Sequence, residues 1–309
     1  MVWPHRIALL LSGATLILIL FGGLVTDTGA ALAVPDWPTT FGYSMFLYPW
    51  SQMVGGIFYE HSHRLIGSLV GFLTVVLAVL LWVVEPRRWL KWLGLLAVLV
   101  VSVQGLLGGL RVILLRETLA ILHGALAQAF FGLTVGLVLF TSKEWAEGAR
   151  ARARSVPGPI LRRLAFCITC GLYLQIVFGG LLTHWGRLDW HLGWTLGLLI
   201  LIPVFGTQIL RRYGDHPDLT GPAIGMQVLF VVQLLLGVGS YVARFTSVAL
   251  PLASFTVVAF PVVHRLTGAL LLGVSLVLTL RLYHLSAMAR GSSALLPGGS
   301  RFEMKGLPA

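Results

Sequence analysis

The chain has 309 residues, of which 57% are hydrophobic and only 11% charged, with a mean hydropathy of +0.89. Soluble domains carry about 25% charged residues, so this composition excludes an ordinary globular protein and points to an integral membrane protein. The net charge of +11 could suit nucleic acid, but Lys and Arg sit in short connections between apolar runs, which is the pattern of membrane topology and removes nucleic acid as a partner.

Eight apolar runs are long enough to span a bilayer, at 7–26, 62–84, 92–112, 118–141, 160–183, 189–210, 221–243 and 259–283. The first follows His5-Arg6 and is kept as a retained helix, because it is long for a signal peptide. A long segment, Asp27 to Tyr59, rich in Pro, Trp, Gly and Thr, separates runs one and two and is expected to fold over one membrane face. Arg87 and Arg88, the 142–163 linker with Arg150, Arg152, Arg154, Arg162 and Arg163, and Arg211 and Arg212 all fall on one side. Arg64, Arg111, Arg116, Arg187, Arg244 and Arg265 fall on the other. The richer side is expected to be cytoplasmic, with both termini inside. Residues 286–309 read as a disordered cytoplasmic tail. Cys167 and Cys170, inside run five, read as packing residues rather than a redox or metal pair.

The halves resemble each other. Phe21-Gly22-Gly23-Leu24 ends run one and Phe178-Gly179-Gly180-Leu181 ends run five. Gln104 with Gly108-Gly109 in run three matches Gln233 with Gly237 and Gly239 in run seven. The expected fold is therefore all-α, with eight transmembrane helices arranged as two four-helix bundles related by a pseudo-twofold axis along the membrane normal. The N-terminal half is 1–141, the basic linker 142–163 and the C-terminal half 164–285.

Histidines carry the candidate chemistry. His63, His123, His191 and His264 each open an even-numbered run, so all four imidazoles should lie near one face, two per half. Facing imidazoles suit a haem iron, with room for a planar group at small residues such as Gly124, Gly193 and Gly268. Zinc asks for one tetrahedron, which two separated pairs do not offer. A proton relay remains open, as in a proton-coupled transporter. Glu60 stands one helical turn before His63, placed for proton transfer. Arg64 and Arg265 directly follow His63 and His264, as propionate contacts or as residues reaching for the interface. His184, at the end of run five, is a second candidate beside His191.

On Glu60-x-x-His63-Arg64 the chain resembles the heme A synthase family. Gly22-Gly23 with Thr26, Thr28 and Gly29, then Pro35-Asp36-Trp37-Pro38, Gln104 with Gly108-Gly109-Leu110-Arg111, and Leu122-His123-Gly124 extend the likeness over nearly all the membrane region. The resemblance implies oxidation of a ring methyl of heme O to a formyl group, giving heme A for terminal oxidases of a bacterial cell membrane. It implies a resident haem b on His191 and His264. Heme O would lie between His63 and His123, with Glu60 beside the reacting methyl. Heme O synthase and an electron acceptor are candidate partners, and a homo-oligomer stays open. A di-haem electron-transfer cytochrome is the competing reading. The chain departs from many bacterial members in lacking a cysteine pair in the first long loop, and the connection from His184 to Trp190 is short.

Overall fold

A computed structural model describes residues 2–147, 157–248 and 253–294. Among these, nine α-helices run in the order α1 Val2–Asp27, α2 Gly56–Val84, α3 Arg88–Leu114, α4 Glu117–Thr141, α5 Lys143–Glu147, α6 Pro159–Trp185, α7 Leu188–Arg212, α8 Pro217–Phe245 and α9 Ala253–Ala294. All except the short α5 are long and apolar enough to cross a membrane. The chain is thus an all-α, multi-pass membrane protein.

The helix ends follow from local chemistry. Pro occupies the first turn of α6 and α8, where its missing N–H costs nothing. α6 stops at Gly186, whose φ of +68° closes the helix in the left-handed region. Between α2 and α3, Arg87 bonds both carboxylate oxygens of Glu85, at 2.7 and 3.0 Å. Burial raises the Glu85 carboxyl, yet these bonds hold it below the usual range.

Each long helix of 2–141 packs on the next, and α4 returns to α1. The four helices from α6 to α9 repeat that order, with α9 returning to α6. Contacts of α1 with α9, and of α4 with α6 and α9, join the two sets. One buried apolar cluster draws on residues between Ala8 and Leu137, the other on residues between Leu161 and Leu285. Lipid is as apolar as leucine, so close packing and polar contacts must hold the helices together. Thr169 on α6 supplies one such contact, meeting Ser275 and Thr279 of α9 at 2.8 and 2.9 Å.

Several expectations need correction. α2 begins at Gly56, ahead of the apolar run at 62–84, so Glu60 and His61 share the helix with His63. Cys167 and Cys170 are unpaired and exposed, because the buried positions of that stretch of α6 go to Ala165, Ile168 and Leu172. α9 continues to Ala294, past the expected end at 285. The Ser286 hydroxyl donates to the Pro157 carbonyl there, and His284 stacks on Trp145, which ties the extension to the protein. α6 starts at Pro159, inside the expected linker, while residues 148–156 of that linker and 295–309 of the tail lie outside the described residues.

Candidate functional site

The long loop after α1 is tied to α2 by a compact polar cluster. Arg64 donates to the carbonyls of Asp36, Thr39 and Val34 at 2.7, 3.0 and 3.0 Å, and to the Glu60 carboxylate at 2.9 Å. Glu60, 5% exposed, accepts a second bond from the Val34 N–H at 3.0 Å. His61 faces away from these and meets the Thr40 hydroxyl at 3.1 Å. Asp36 closes the loop by accepting from the Thr39 hydroxyl and from the N–H groups of Phe41 and Gly42. Burial works against its charge, but these bonds outweigh it and hold its carboxyl at about 2. Trp37 then covers Gly109 of α3 so closely that any side chain there would collide with the indole.

Beneath this cover, His63 of α2 faces His123 of α4, with ring centroids 6.4 Å apart and planes at 68°. His191 of α7 faces His264 of α9 with almost the same geometry, 6.2 Å and 69°. In both cases the pair bridges helices that are diagonal in the packing order. His184 instead lies at the end of α6, close enough to Arg111, Arg265 and Glu117 to interact electrostatically. His191, not His184, is thus the residue opposed to His264.

The spacing has a chemical meaning. A metal–imidazole bond is about 2 Å, and the ring centre lies roughly 1 Å further, so two imidazoles on one ion put their centroids about 6 Å apart. Both pairs have that separation. Among the described residues no three His, Cys, Asp or Glu side chains gather to hold a metal. The donor set is therefore two imidazoles per site with the remaining positions open, as a haem iron requires. Buried polar atoms without partners add to the fit: the side-chain oxygens of Gln104, Gln175 and Gln233. Such atoms are costly unless another group completes them.

Each imidazole lies against a glycine of the preceding helix. A methyl at Gly22, Gly108, Gly179 or Gly237 would come within 3.2, 3.0, 3.5 and 3.2 Å of the Cε1 atoms of His63, His123, His191 and His264. Three of these glycines follow a glutamine by four residues, which puts both on one helix face. Gln104 donates to the His123 carbonyl at 2.9 Å, while its own carbonyl accepts from His123 Nδ1 at 3.2 Å. Gln175 reaches the His191 carbonyl and Nδ1 at 3.0 and 3.2 Å. The Gln233 carbonyl accepts from His264 Nδ1 at 3.1 Å. Sequence reasoning noted Gln104 and Gln233 as marks of the repeat, and Gln104 also of the family likeness, and passed over Gln175. The four-residue spacing from Gln to Gly was the available signal.

The arginines divide differently from expectation. Arg64 is engaged with the loop and Glu60. Arg265 of α9 and Arg244 of α8 both pair with Asp27 at the end of α1, whose side chain is fully buried. The guanidinium of Arg111 on α3, half-buried one turn beyond Gly108, has no hydrogen-bond or ion-pair partner among the described residues. Its charge acts on Glu60, His63 and His123. Sequence reasoning had counted Arg111 toward topology and toward the family likeness, with no role at the site.

Fold and site together define a multi-pass helical membrane protein with two facing pairs of histidines. The sequence profile described as cytochrome oxidase assembly protein, COX15-CtaA, matches residues 5–187. The chain belongs to the COX15-CtaA family. It is similar to the heme A synthase of Alkalihalophilus pseudofirmus, with 27% identity over 249 residues, 72% of this chain and 82% of that protein. The heme A synthase of Halalkalibacterium halodurans is 26% identical over 255 residues, 72% and 81% of the two chains. That of Shouchella clausii is 27% identical over 154 residues, 49% of each.

Proposed function

We infer that this protein is a heme A synthase, which oxidises a ring methyl of heme O to a formyl group. The observation that carries the reading is the pair of opposed imidazoles at one-metal spacing, present twice in a chain whose relatives bear that name. The frame is read as two four-helix bundles related by a pseudo-twofold axis, supported by the repeated order of packing and the repeated His-on-Gly contacts.

The His63/His123 pair is the substrate site in this reading, and the His191/His264 pair holds haem b. The difference between the pairs supports that division. Three residues before His63 stands a buried carboxylate, Glu60, whereas Ala120, Leu188 and Pro261 hold the matching places before the other three histidines. Haem b, when bound, supplies a one-electron store near the substrate. Glu60 takes protons released as the methyl is oxidised. Arg64 orients that carboxylate through their ion pair, and the loop carbonyls fix Arg64 in turn. Arg111, unpaired and beside the substrate pair, offers its guanidinium to the carboxylates that heme O carries. Arg265 serves the haem b side, where its present partner is Asp27. The loop capped by Trp37 excludes water from the site.

Both termini lie in the cytoplasm in this reading, with the 28–55 loop on the opposite face, as the arginine distribution supports. Water supplies the formyl oxygen, an electron acceptor receives the electrons released with the protons, and heme O synthase is the natural source of substrate. The purified protein tests this assignment. Its absorption spectrum should show six-coordinate low-spin haem, with haem b retained in His63→Ala and lost in His264→Ala. A colourless protein would overturn it and favour a transporter.

A further inference from the structure

Gln128 stands near the middle of α4, inside a membrane-spanning helix. It is 7% exposed, and its side-chain oxygen has no hydrogen-bond partner. A polar group left open at that depth is costly and marks a place where something else binds. Gln128 follows His123 by five residues, so it leaves α4 about 140° round the helix from the imidazole. It lines a cleft of about 410 Å³ between the two sets of helices, with Gly132 and Gly136 of α4, Cys170 and Tyr173 of α6 and Leu276 of α9. A methyl at Gly132 would stand 3.6 Å from Leu276, so glycine there keeps the cleft open.

The other polar side chains on the wall are engaged. The Tyr173 hydroxyl donates to the Ala125 carbonyl at 3.2 Å, and the Thr169 hydroxyl meets Ser275 and Thr279. The Gln128 amide is left for an occupant. A lipid acyl chain or a bare isoprenoid brings no donor for its oxygen, whereas a ring bearing hydroxyl groups does. An amide serves both states of a quinone: its oxygen accepts from the quinol hydroxyl, and its N–H₂ donates to the quinone carbonyl. The cleft is also close to both histidine pairs. Gln128 lies about 7.5 Å along the helix axis from His123, and Tyr173 about 3 Å from Gln175, which holds the His191 carbonyl.

We propose that this cleft is a quinone site and that a membrane quinone is the electron acceptor of the reaction. This rests on the reading of the protein as a heme A synthase. Oxidation of the methyl breaks two of its C–H bonds and both O–H bonds of one water, and forms the formyl C=O. Four electrons and four protons leave, and two quinones take them up as two quinols.

Two measurements on the full-length, haem-loaded protein in detergent test this. Decylubiquinone, whose ring is fully substituted and does not alkylate thiols, should slow maleimide labelling of Cys170 on the cleft wall. It should leave Cys167, outside the cleft, unchanged. Farnesol, an isoprenoid without the ring, should protect far less. In the second measurement, protein reduced with stoichiometric dithionite is mixed anaerobically with decylubiquinone, and haem reoxidation is followed. The rate should saturate with quinone. Gln128→Leu should raise the half-saturating concentration roughly 3- to 10-fold, as for one lost hydrogen bond. Ala129→Phe, filling the cleft from an exposed position of α4, should abolish both saturation and Cys170 protection while the haem spectrum stays unchanged. If Ala129→Phe does not fold, Gln128→Leu and the labelling still decide. Unprotected Cys170, equal protection by farnesol, or reoxidation indifferent to Gln128→Leu would each overturn the proposal and leave the haem sites standing. A protein without haem, seen in the spectrum before quinone is added, would instead remove the reading beneath it.

Discussion

Glu60 and Arg64 lie one turn apart on α2 and close a 2.9 Å ion pair that is also the anchor of the loop between α1 and α2, because Arg64 holds three loop carbonyls and Glu60 holds the Val34 N–H. The carboxylate proposed to handle protons is thus part of the cover over the site. Substitutions must separate those two roles. Glu60→Gln keeps one of the two acceptor oxygens that Val34 and Arg64 use and loses the charge, while Arg64 still holds its three loop carbonyls, so the loop should stay largely protected from protease while formation of the formyl product falls at least 10²-fold, the usual span for a lost proton-transfer group being about 10²–10⁴. Glu60→Ala should lose both the product and the protection. Full activity in Glu60→Gln would assign Glu60 to the loop alone.

The loop should be acid-resistant to an unusual degree. Asp36 has a folded-state carboxyl at about 2 against an ordinary value of 3.8, so its bonds stabilise the loop fully above the ordinary value and are lost as pH falls through about 2. Protease cleavage within 36–43 should stay slow down to about pH 3 and rise below it. Asp36→Ala should be cleaved readily at neutral pH, and equal resistance of the variant would contradict the role given to Asp36.

Arg111→Ala should weaken substrate binding rather than chemistry. Losing an unpaired guanidinium near the His63/His123 pair removes a charge-assisted bond of about 1.5–3 kcal/mol, roughly a 10- to 100-fold rise in KM for heme O with a smaller change in kcat. The α-helical content should not change. An unaltered KM would return the carboxylates to Arg64 or Arg265.

The glycines beneath the imidazoles give a steric test of the ligand assignment. Gly237→Val places branched carbon where even a methyl would lie 3.2 Å from His264 Cε1, so the ring must swing away and haem b should be lost as in His264→Ala. The matching Gly22→Val should spare haem b and impair the substrate site. Loss of haem b from both variants would mean that the two sites are not separable.

Membrane sidedness is tested with single cysteines in a chain lacking Cys167 and Cys170. Tyr43→Cys, on the exposed part of the first loop, and Asp215→Cys, in the exposed turn between α7 and α8, should react with impermeant reagent from opposite sides. Labelling of both from one side would reject the assigned topology.

Much of this was legible in the sequence. Apolar runs marked all eight crossing helices, because length and hydropathy decide insertion. Histidines at the start of every second run marked the paired sites, because antiparallel helices return to one face at that interval. What stayed hidden depended on distance in the chain or on the backbone. Arg64 spends most of its hydrogen bonds on carbonyls 25 to 30 residues away, and a carbonyl carries no sequence signal. Asp27 meets Arg265 across 238 positions, so Arg265 read as a free cation. Cys167 and Cys170 were misplaced because a helix apolar all round does not reveal which face meets lipid.

The most direct measurement is the haem content of membranes from a host that makes heme O but no heme A, with this protein expressed as the sole added component. Extracted haems should include heme A, absent without the protein and strongly reduced in Glu60→Gln and His63→Ala. Heme O and haem b alone, from membranes in which the protein is present, folded and carries its haem, would contradict the synthase reading and leave a di-haem electron-transfer cytochrome.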